Sequence, residues 1–324
     1  MVKEKNFKLV ISLCIVILVL VFLVSLALGK ANILSLKQDI GKIILINVRL
    51  PRVILAMVVG MGLSISGVVL QSLLNNPLAD SYTLGISSGA ALGACIAIYI
   101  NIATSKDIPI QFMAVIFSML VFITVLKIAK AKGIITTSSL VLAGIIVSST
   151  CQAGVSFIKS ISDEDSVSII YWLMGNLSSK SLKQAFILTV FVMIGFFFCV
   201  KYSSELNIMT LGRKEAILLG VDYDRVYKIF LVVCSIITAL CVSLCGIIGF
   251  VGLVVPHIAR LLLGADNKKV IPASALMGAI LLLVADTVTR SMLKNELPVG
   301  VLTTLIGGPF FCYIFINRKN TMEN

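Results

Sequence analysis

The chain has 324 residues, of which 59% are hydrophobic and 13% are charged, with a mean hydropathy of +1.08 and a formal net charge of +12. A water-soluble domain carries about a quarter charged residues, so this composition excludes a soluble globular protein. Each helical span needs roughly 20 apolar residues to cross a bilayer core about 30 Å thick, and continuous runs of that length recur along the sequence. They indicate membrane helices rather than the short alternating strands of a transmembrane barrel.

The apolar runs and the breakers between them predict an all-α polytopic membrane protein, with about ten transmembrane helices in one compact bundle. Residues 1–324 are predicted to form a single transmembrane domain. The eighth predicted span is the weakest, because it is short and contains Pro256. In chain order the predicted spans are 9–29, 50–72, 83–102, 110–128, 138–159, 183–201, 226–246, 250–264, 272–291 and 298–317.

The first apolar run follows the basic start "MVKEKNFK", as the apolar segment of a cleaved signal peptide would. The run is long for such a segment, and no convincing small-residue cleavage site follows it. A retained first helix is therefore the favoured interpretation, with a signal peptide as the alternative.

Positive charges concentrate in alternate connectors, which is the distribution that sets the orientation of membrane helices. Connectors on the basic face hold Lys127, Lys130, Arg213 and Arg225, whereas the opposite face holds the acidic run "SDEDS" at 162–166. An even number of spans then places both termini in the cytoplasm. The same distribution explains the net charge without a nucleic-acid partner, and we expect none.

Four basic residues lie on the predicted outer face against this bias, namely Arg49, Arg52, Arg290 and Lys294, and their position invites a functional explanation. Asp286 is the best candidate for a titratable group within a span, and Arg290 follows it one helical turn later. This spacing predicts a local ion pair near the outer end of the span. The lack of a clear intramembrane proton relay argues against a proton-coupled carrier.

The stretch "NNPLADSYTLGISSGAALG" at 75–93 separates the second and third spans. Pro77 predicts the end of the preceding helix and a cytoplasmic turn, in which asparagine side chains satisfy freed main-chain groups. The small residues on both sides predict either closely packed helices or the wall of a wide pathway to which a substrate adheres weakly. The candidate pathway residues are Ser66, Gly67, Gln71, Asn76, Pro77, Gly85, Ser87, Ser88 and Gly89.

The stretch "MTLGRKEAILLGVDYDRV" at 209–226 is the longest predicted cytoplasmic connector. Gly212 and Gly220 bracket a short amphipathic helix, whose apolar part includes Ala216 and Leu219. Such a helix either lies on the membrane surface or docks into a groove of a cytoplasmic partner.

The sequence contains none of the motifs of P-loop ATPases, serine hydrolases or zinc proteases, so we predict no catalytic residues. The eight cysteines fall within or at the edges of apolar runs, where buried thiols are expected. No paired-cysteine zinc motif occurs, and His257 is the only histidine. We therefore expect neither enzymatic activity nor a metal site in this chain.

Taken together, five stretches resemble the permease subunits of ATP-binding-cassette importers for iron–siderophore complexes, haem and vitamin B12, the FecCD-type permeases. The resemblance extends from about residue 45 to 316, and the combination of motifs is specific. Ser81 departs from the pattern, because the family often has proline there. The five stretches are "RLPR" at 49–52, "SGVVLQSLLNNPLADSYTLGISSGA" at 66–90, "GRKEAILLGV" at 212–221, "GFVGLVVPHIARLLLGAD" at 249–266 and "LPVGVLTTLIGGPFFCYI" at 297–314.

The resemblance implies a ten-helix permease in a bacterial cytoplasmic membrane, paired around a central path with a second copy or a similar paralogue. It implies two cytoplasmic ATPase subunits that bind ATP and Mg²⁺, and an extracytoplasmic binding protein that delivers substrate. No cofactor is expected on this chain itself. A ferric siderophore is the favoured substrate, with vitamin B12 or haem as alternatives and a proton-coupled secondary transporter as a less favoured class.

The resemblance also assigns roles to two sets of residues. A cytoplasmic coupling loop at about 203–225, between spans six and seven, would contact an ATPase. Arginines on the outer face would receive carboxylates of the binding protein in paired hydrogen bonds, although they also suit helix ends anchored at lipid headgroups. The residues matched to coupling are Gly212, Ala216, Leu219 and Gly220. The residues matched to docking are Arg49, Arg52 and Arg290.

Overall fold

A computed structural model describes residues 2–29, 38–130, 136–162, 166–178, 180–291 and 296–322. Side chains are described for those of these residues that lie between 6 and 310, apart from residues 38 and 39. The described chain is helical with short connectors, as the apolar runs predict. In chain order the helices are α1 (Val2–Ala27), α2 (Gln38–Ile44), α3 (Leu50–Leu73), α4 (Ile86–Thr104), α5 (Ile110–Lys130), α6 (Thr137–Ile161), α7 (Ser166–Leu173), α8 (Leu182–Lys201), α9 (Ser203–Met209), α10 (Arg213–Leu218), α11 (Tyr223–Cys245), α12 (Val251–Leu263), α13 (Asn267–Ser291) and α14 (Val299–Met322).

Eight helices in the described part of the chain are long and apolar enough to cross a membrane, and two shorter apolar helices cover 251–263 and 299–310. Together they match the ten predicted runs in order. Whether both shorter helices cross the bilayer stays a prediction. The acidic run at 162–166 and Lys294 lie partly or wholly outside the described residues.

The predicted start of the second span at residue 50 is wrong, because the helical segment begins upstream and is continuous from Gln38 to Leu73. Leu45–Arg49 form a π-helical turn that joins α2 to α3, and the Leu50 N–H donates to the Leu45 carbonyl. Pro51 then falls in the first turn of α3, where its missing N–H is tolerated. Pro51 therefore lies just after the wide turn, inside a continuous helical segment.

The short helix α7 was not predicted by the sequence pattern. Two of the long helices, α6 and α8, begin at side-chain caps. Thr136 and Ser181 cap α6 and α8 in reciprocal capping boxes with Ser139 and Gln184, which satisfies main-chain N–H groups at both helix starts.

Helix α3 occupies the centre of the bundle and is buried along most of its length. It packs against α8, α11, α12 and α13, while α4, α5 and α6 pack on one another and reach the rest of the bundle through α11. A span surrounded by protein exchanges lipid contacts for helix contacts, so its side chains must be small enough for close approach.

A close main-chain approach in the centre is that between α3 and α13, which run antiparallel. A Cβ atom on Gly60 would lie 2.1 Å from the Gly278 carbonyl oxygen, and one on Gly278 would lie 2.4 Å from the Gly60 oxygen. Gly67 meets Gly252 of α12 in the same way, with 2.0 Å from its ideal Cβ position to the Gly252 oxygen. The small residues of α3 therefore serve two main-chain crossings.

Replacing Gly60 with alanine should lower the thermal midpoint of the detergent-solubilised protein. The added methyl group meets main-chain atoms of α13, which cannot rotate away, so we expect a cost of about 1–3 kcal/mol, as for other overpacked cores. The matched control is Gly308→Ala in α14, because the nearest atom to its Cβ position is Phe250 Cζ at 3.6 Å. Equal midpoints for the two variants would contradict the proposed crossing.

Candidate functional site

Five charged residues meet where α3 begins and α13 ends, and we call them the outer charge cluster: Arg49, Arg52, Asp286, Arg290 and Glu296. Asp286 is fully buried, and its Oδ1 atom accepts a hydrogen bond from Arg52 Nε at 2.8 Å. Arg52 Nη1 donates to Glu296 Oε2 at 3.1 Å. One arginine of α3 therefore joins the buried end of α13 to an exposed carboxylate beyond it.

The predicted ion pair between Asp286 and Arg290 exists, but it is the weaker of the two contacts to Asp286. Arg290 Nε lies 3.6 Å from Asp286 Oδ2, which exceeds hydrogen-bond distance, whereas Arg52 donates directly. The sequence spacing identified the partner on the same helix and missed the closer partner on α3.

The other two arginines of the cluster bind the carboxyl end of α1. Arg49 Nη1 donates to the carbonyls of Leu26 and Ala27 at 2.7 and 2.8 Å, and Arg290 Nη2 donates to Ser25 Oγ at 2.6 Å and to the Ser25 carbonyl. Cations are favoured at this end of a helix because its last carbonyls lack partners and carry partial negative charge.

These contacts leave the three predicted docking residues unequally accessible. Arg49 and Arg290 are each 4% exposed, while the side chains of Arg52 and Glu296 are 12% and 40% exposed. An approaching protein would meet Arg52 and Glu296 first. A docking role for all three arginines stays a prediction.

At the opposite end of the bundle, α10 is bracketed by glycines as the sequence predicted. Gly212 and Gly220 have φ values of +116° and +85°, a region that residues with a Cβ rarely adopt. Helix α9 packs beside α10, and Arg213 pairs with Asp224 at 2.6 Å across the turn into α11. The short helix is thus held by its neighbours on both sides.

The two faces of α10 differ from those expected from the sequence. Ala216, expected at the surface of contact with a partner, is fully buried within this chain. The exposed apolar residues are Ile217, Leu218 and Leu219, with Leu218 86% exposed. Leu219 agrees with the expected contact surface, and Leu218 is the residue that the sequence analysis missed. Their roles in coupling stay predictions.

A small cavity lies between α3, the connector before α4 and the turn from α11 into α12. It contains two of the predicted pathway residues, Ser66 and Gly67. The residues around it are Leu63, Ser66, Gly67, Asp80, Ser81, Tyr82, Ile248, Phe250 and Gly252. Gln71 adjoins the cavity, because its Nε2 donates to the carbonyl of Gly252 at 3.3 Å.

Asp80 is the charged residue that the sequence analysis did not select at this cavity. Its Oδ1 accepts hydrogen bonds from the main-chain N–H groups of Tyr82 and Thr83 at 3.0 and 3.1 Å. Burial raises the pKa of the Asp80 carboxyl to about 6, although both N–H groups favour its ionised form. A carboxyl in this environment binds a proton more readily than one in water.

The remaining predicted pathway residues have other surroundings. Asn76 accepts from the Leu78 N–H at 2.9 Å within the expected turn, and Pro77 is exposed in that turn. Ser87 is buried, with its hydroxyl 3.4 Å from that of Ser81, and Ser88 is partly buried.

The glycines of α4 face other helices. An added Cβ at Gly89 would lie 2.7 Å from the Phe117 carbonyl oxygen of α5, and one at Gly85 would lie 3.0 Å from Val121. These positions serve close packing between α4 and α5. A lining role for any of the predicted pathway residues stays a prediction.

Similar proteins were found by sequence and by structure. The sequence model of the FecCD transport family matches residues 9–317. The chain is 39% identical over 281 residues to the cobalamin import system permease protein BtuC of Halobacterium salinarum. The alignment covers 87% of this chain and 75% of the relative. It is 34% identical over 322 residues to the Fe(3+)-citrate import system permease protein YfmE of Bacillus subtilis, with 96% of each covered.

Among solved structures, the chain is similar to an inward-facing ABC transporter assigned to the metal-chelate type. The two chains share 30% sequence identity and superpose with a TM-score of 0.87, over 96% of this chain and 99% of the other.

Asp286→Asn should destabilise the folded protein more than Glu296→Gln. The first change leaves the largely buried Arg52 without its close anionic partner, and breaking a buried ion pair costs about 3–5 kcal/mol. The second affects an exposed pair, for which about 0–1 kcal/mol is expected. Thermal unfolding of the two variants in the same detergent measures the difference, and equal losses would show that Asp286 is not the centre of the cluster.

Proposed function

The chain belongs to the FecCD transport family, and from that premise we propose that it is the permease subunit of an ATP-driven importer for a ferric siderophore complex. The family match over nearly the whole chain is the observation that carries the proposal. We further propose a location in the bacterial cytoplasmic membrane with both termini in the cytoplasm, supported by the basic connectors on one face.

Separate ATPase subunits would supply the energy and would bind ATP and Mg²⁺. The best-supported surface for them is the exposed apolar end of α10, where Ile217, Leu218 and Leu219 project from a helix anchored by the buried Ala216. A rigid apolar projection suits insertion into a groove of a partner, since burial of exposed leucines drives association. Helix α10 lying on the lipid surface is the alternative.

An extracytoplasmic binding protein would deliver the substrate at the outer charge cluster. Three arginines face two carboxylates there, so the cluster keeps an excess of positive charge for acidic residues of a partner. Arg52 is the arginine best placed to exchange partners, because one of its carboxylates, Glu296, is exposed. Arg49 and Arg290 would contribute their charge from beneath the surface.

A second permease subunit, either another copy or a similar chain, would complete the path. Transport would follow alternating access, in which the path opens to one side of the membrane at a time. This chain would hydrolyse no ATP by itself.

The substrate proposal rests on the names of similar proteins, and the mode of energy supply on the contact between Asp286 and Arg52. The names of YfmE and of the metal-chelate transporter favour a ferric chelate, and the similarity to BtuC supports cobalamin as the alternative. Haem is a further member of this substrate class. A proton-coupled carrier is less well supported, because Asp286 is engaged by Arg52.

Leu218→Glu should abolish copurification of ATPase subunits with the solubilised chain, because it places a charge in the proposed apolar contact. The matched control is Leu78→Glu, which alters an exposed leucine in the turn before α4 and should leave ATPase recovery unchanged. Copurification is measured from native membranes, together with ATP hydrolysis. Normal recovery with Leu218→Glu, or ATP hydrolysis by the chain alone, would contradict the proposal.

Arg52→Gln and Glu296→Gln should change the affinity for the binding protein in opposite directions. The first removes a cation that receives a partner's carboxylate, and the second removes a carboxylate that competes for it, with about tenfold or ~1.4 kcal/mol expected for each. Opposite signs cannot arise from misfolding alone. The control is Lys106→Gln at an exposed residue of the same predicted face, and changes of the same sign would refute docking at Arg52.

A further inference from the structure

A continuous set of buried and partly buried hydrogen bonds joins the helix beside α10 to the cavity on α3. It begins at Asn207 of α9 and ends at the carbonyl of Gly252 in α12. We call its five residues the inner relay: Asn207, Asn267, Ser72, Arg260 and Gln71. Of these five, only Gln71 was among the pathway residues predicted from the sequence.

The first link attaches α9 to the start of α13. Asn207 Oδ1 accepts from the Asn267 N–H at 2.9 Å, and Asn207 Nδ2 donates to Asp266 Oδ1 at 2.8 Å. One side chain thus holds both the first residue of α13 and the residue before it. Asn207 therefore links α9 directly to the start of α13.

The second link crosses from α13 to α3. Ser72 Oγ donates to Asn267 Oδ1 at 3.0 Å, and both residues are buried, with 6% and 1% exposure. Water has little access to replace this bond, so breaking it leaves a buried acceptor without a partner and costs more than an exposed bond would.

Arg260 of α12 is the centre of the relay. Its Nη2 atom donates to Ser72 Oγ at 3.2 Å and to the Val68 carbonyl at 3.0 Å, and its Nη1 atom donates to Gln71 Oε1. The planar guanidinium fixes the directions of these bonds. Helix α12 is therefore hydrogen-bonded to Val68, Gln71 and Ser72, which lie on one face of α3.

The last link reaches the cavity. Gln71 Nε2 donates to the carbonyls of Gly252 and Leu253 at 3.3 and 3.4 Å, at the start of α12. Gly252 both lines the cavity and forms the close crossing with Gly67. The relay thus ends at a crossing whose two glycines line the cavity.

We propose that the inner relay transfers the ATP-driven displacement of α10 through α9 to the α3–α12 crossing, with Arg260 as its positioning residue. This inference rests on the proposed function. Helix α9 is the mechanical connection, because it packs on α10 and on α13 and carries Asn207. The bonds of the relay join α9 to α13, α13 to α3, and α12 to α3. Removing one of them would interrupt the transfer, while the exposed surface of α10 would stay unchanged.

The test uses the complete importer complex with ATPases, and a single reactive cysteine at the cavity. Tyr82→Cys provides it, because Tyr82 is 37% exposed and lines the cavity, whereas the cysteines of the described side chains are buried. Cys312 is replaced by serine. The rate of labelling by a water-soluble maleimide is compared without nucleotide and after trapping with Mg·ATP and vanadate.

In the parent complex we expect nucleotide trapping to change the labelling rate about fivefold or more, within the range of typical coupling factors. With Arg260→Met the change should fall below about twofold while basal ATP hydrolysis stays within about twofold of the parent, because ATPase contact is retained and only transfer is lost. Lys130→Met, at an exposed cation of α5, should behave like the parent.

Asn207→Leu and Gln71→Met interrupt the two ends of the relay separately and keep the test decisive if Arg260→Met fails to assemble. Both should lose the nucleotide response, and the double variant should lose no more than either single variant. Parent-like responses in these variants would overturn the relay while leaving the proposed function intact. A parent complex without ATPases or without a nucleotide response would contradict the proposed function and the relay together.

Discussion

Gly60 on α3 and Gly278 on α13 bring two main chains so close that a methyl group on either would collide with a carbonyl oxygen. This crossing fixes an antiparallel pair, and α8 and α12 pack against both of its helices. It also determines which polar residues meet, because the ends of the two helices coincide at both ends of the bundle. Arg52 faces Asp286 at one end, and Ser72 faces Asn267 at the other. Polar contacts that would be costly in lipid are thus satisfied inside protein.

The two ends differ in the kind of contact that they offer. The outer charge cluster combines ion pairs with hydrogen bonds from arginines to the end of α1. Because Glu296 is exposed, a partner's carboxylate would compete with it for Arg52. The inner relay consists of directional hydrogen bonds, most of them partly buried, that involve one guanidinium and three side-chain amides. An importer needs both properties. Docking must be reversible, whereas displacement by ATPases must reach the path without loss. The closely packed centre between them suits a rigid element about which the ends rearrange.

The sequence was informative where a property depends on neighbours along the chain. Apolar runs located the spans, and Gly212 and Gly220 located α10, because span length and positive φ are local requirements. It failed where tertiary contacts decide. The second span did not begin at residue 50, since the π-helical turn that joins α2 to α3 carries no clear sequence signal. A short amphipathic helix of six residues does not reveal that Ala216 is on its buried side.

Small residues posed a similar difficulty. Gly89 and Ser66 belong to the same kind of pattern, yet one contacts α5 and the other borders the cavity. Arg260 had a signal, a lone cation in a short apolar run, but its acceptors lie about 190 residues away along the chain.

The central claim is that this chain is the permease of an ATP-driven importer for a ferric chelate. The most direct measurement is uptake of labelled ferric siderophores, cobalamin and haem in a strain lacking the chain. The account predicts that uptake of one ferric siderophore is lost, and that the wild-type chain restores it whereas the Leu218→Glu variant does not. Unchanged uptake of every compound would contradict it.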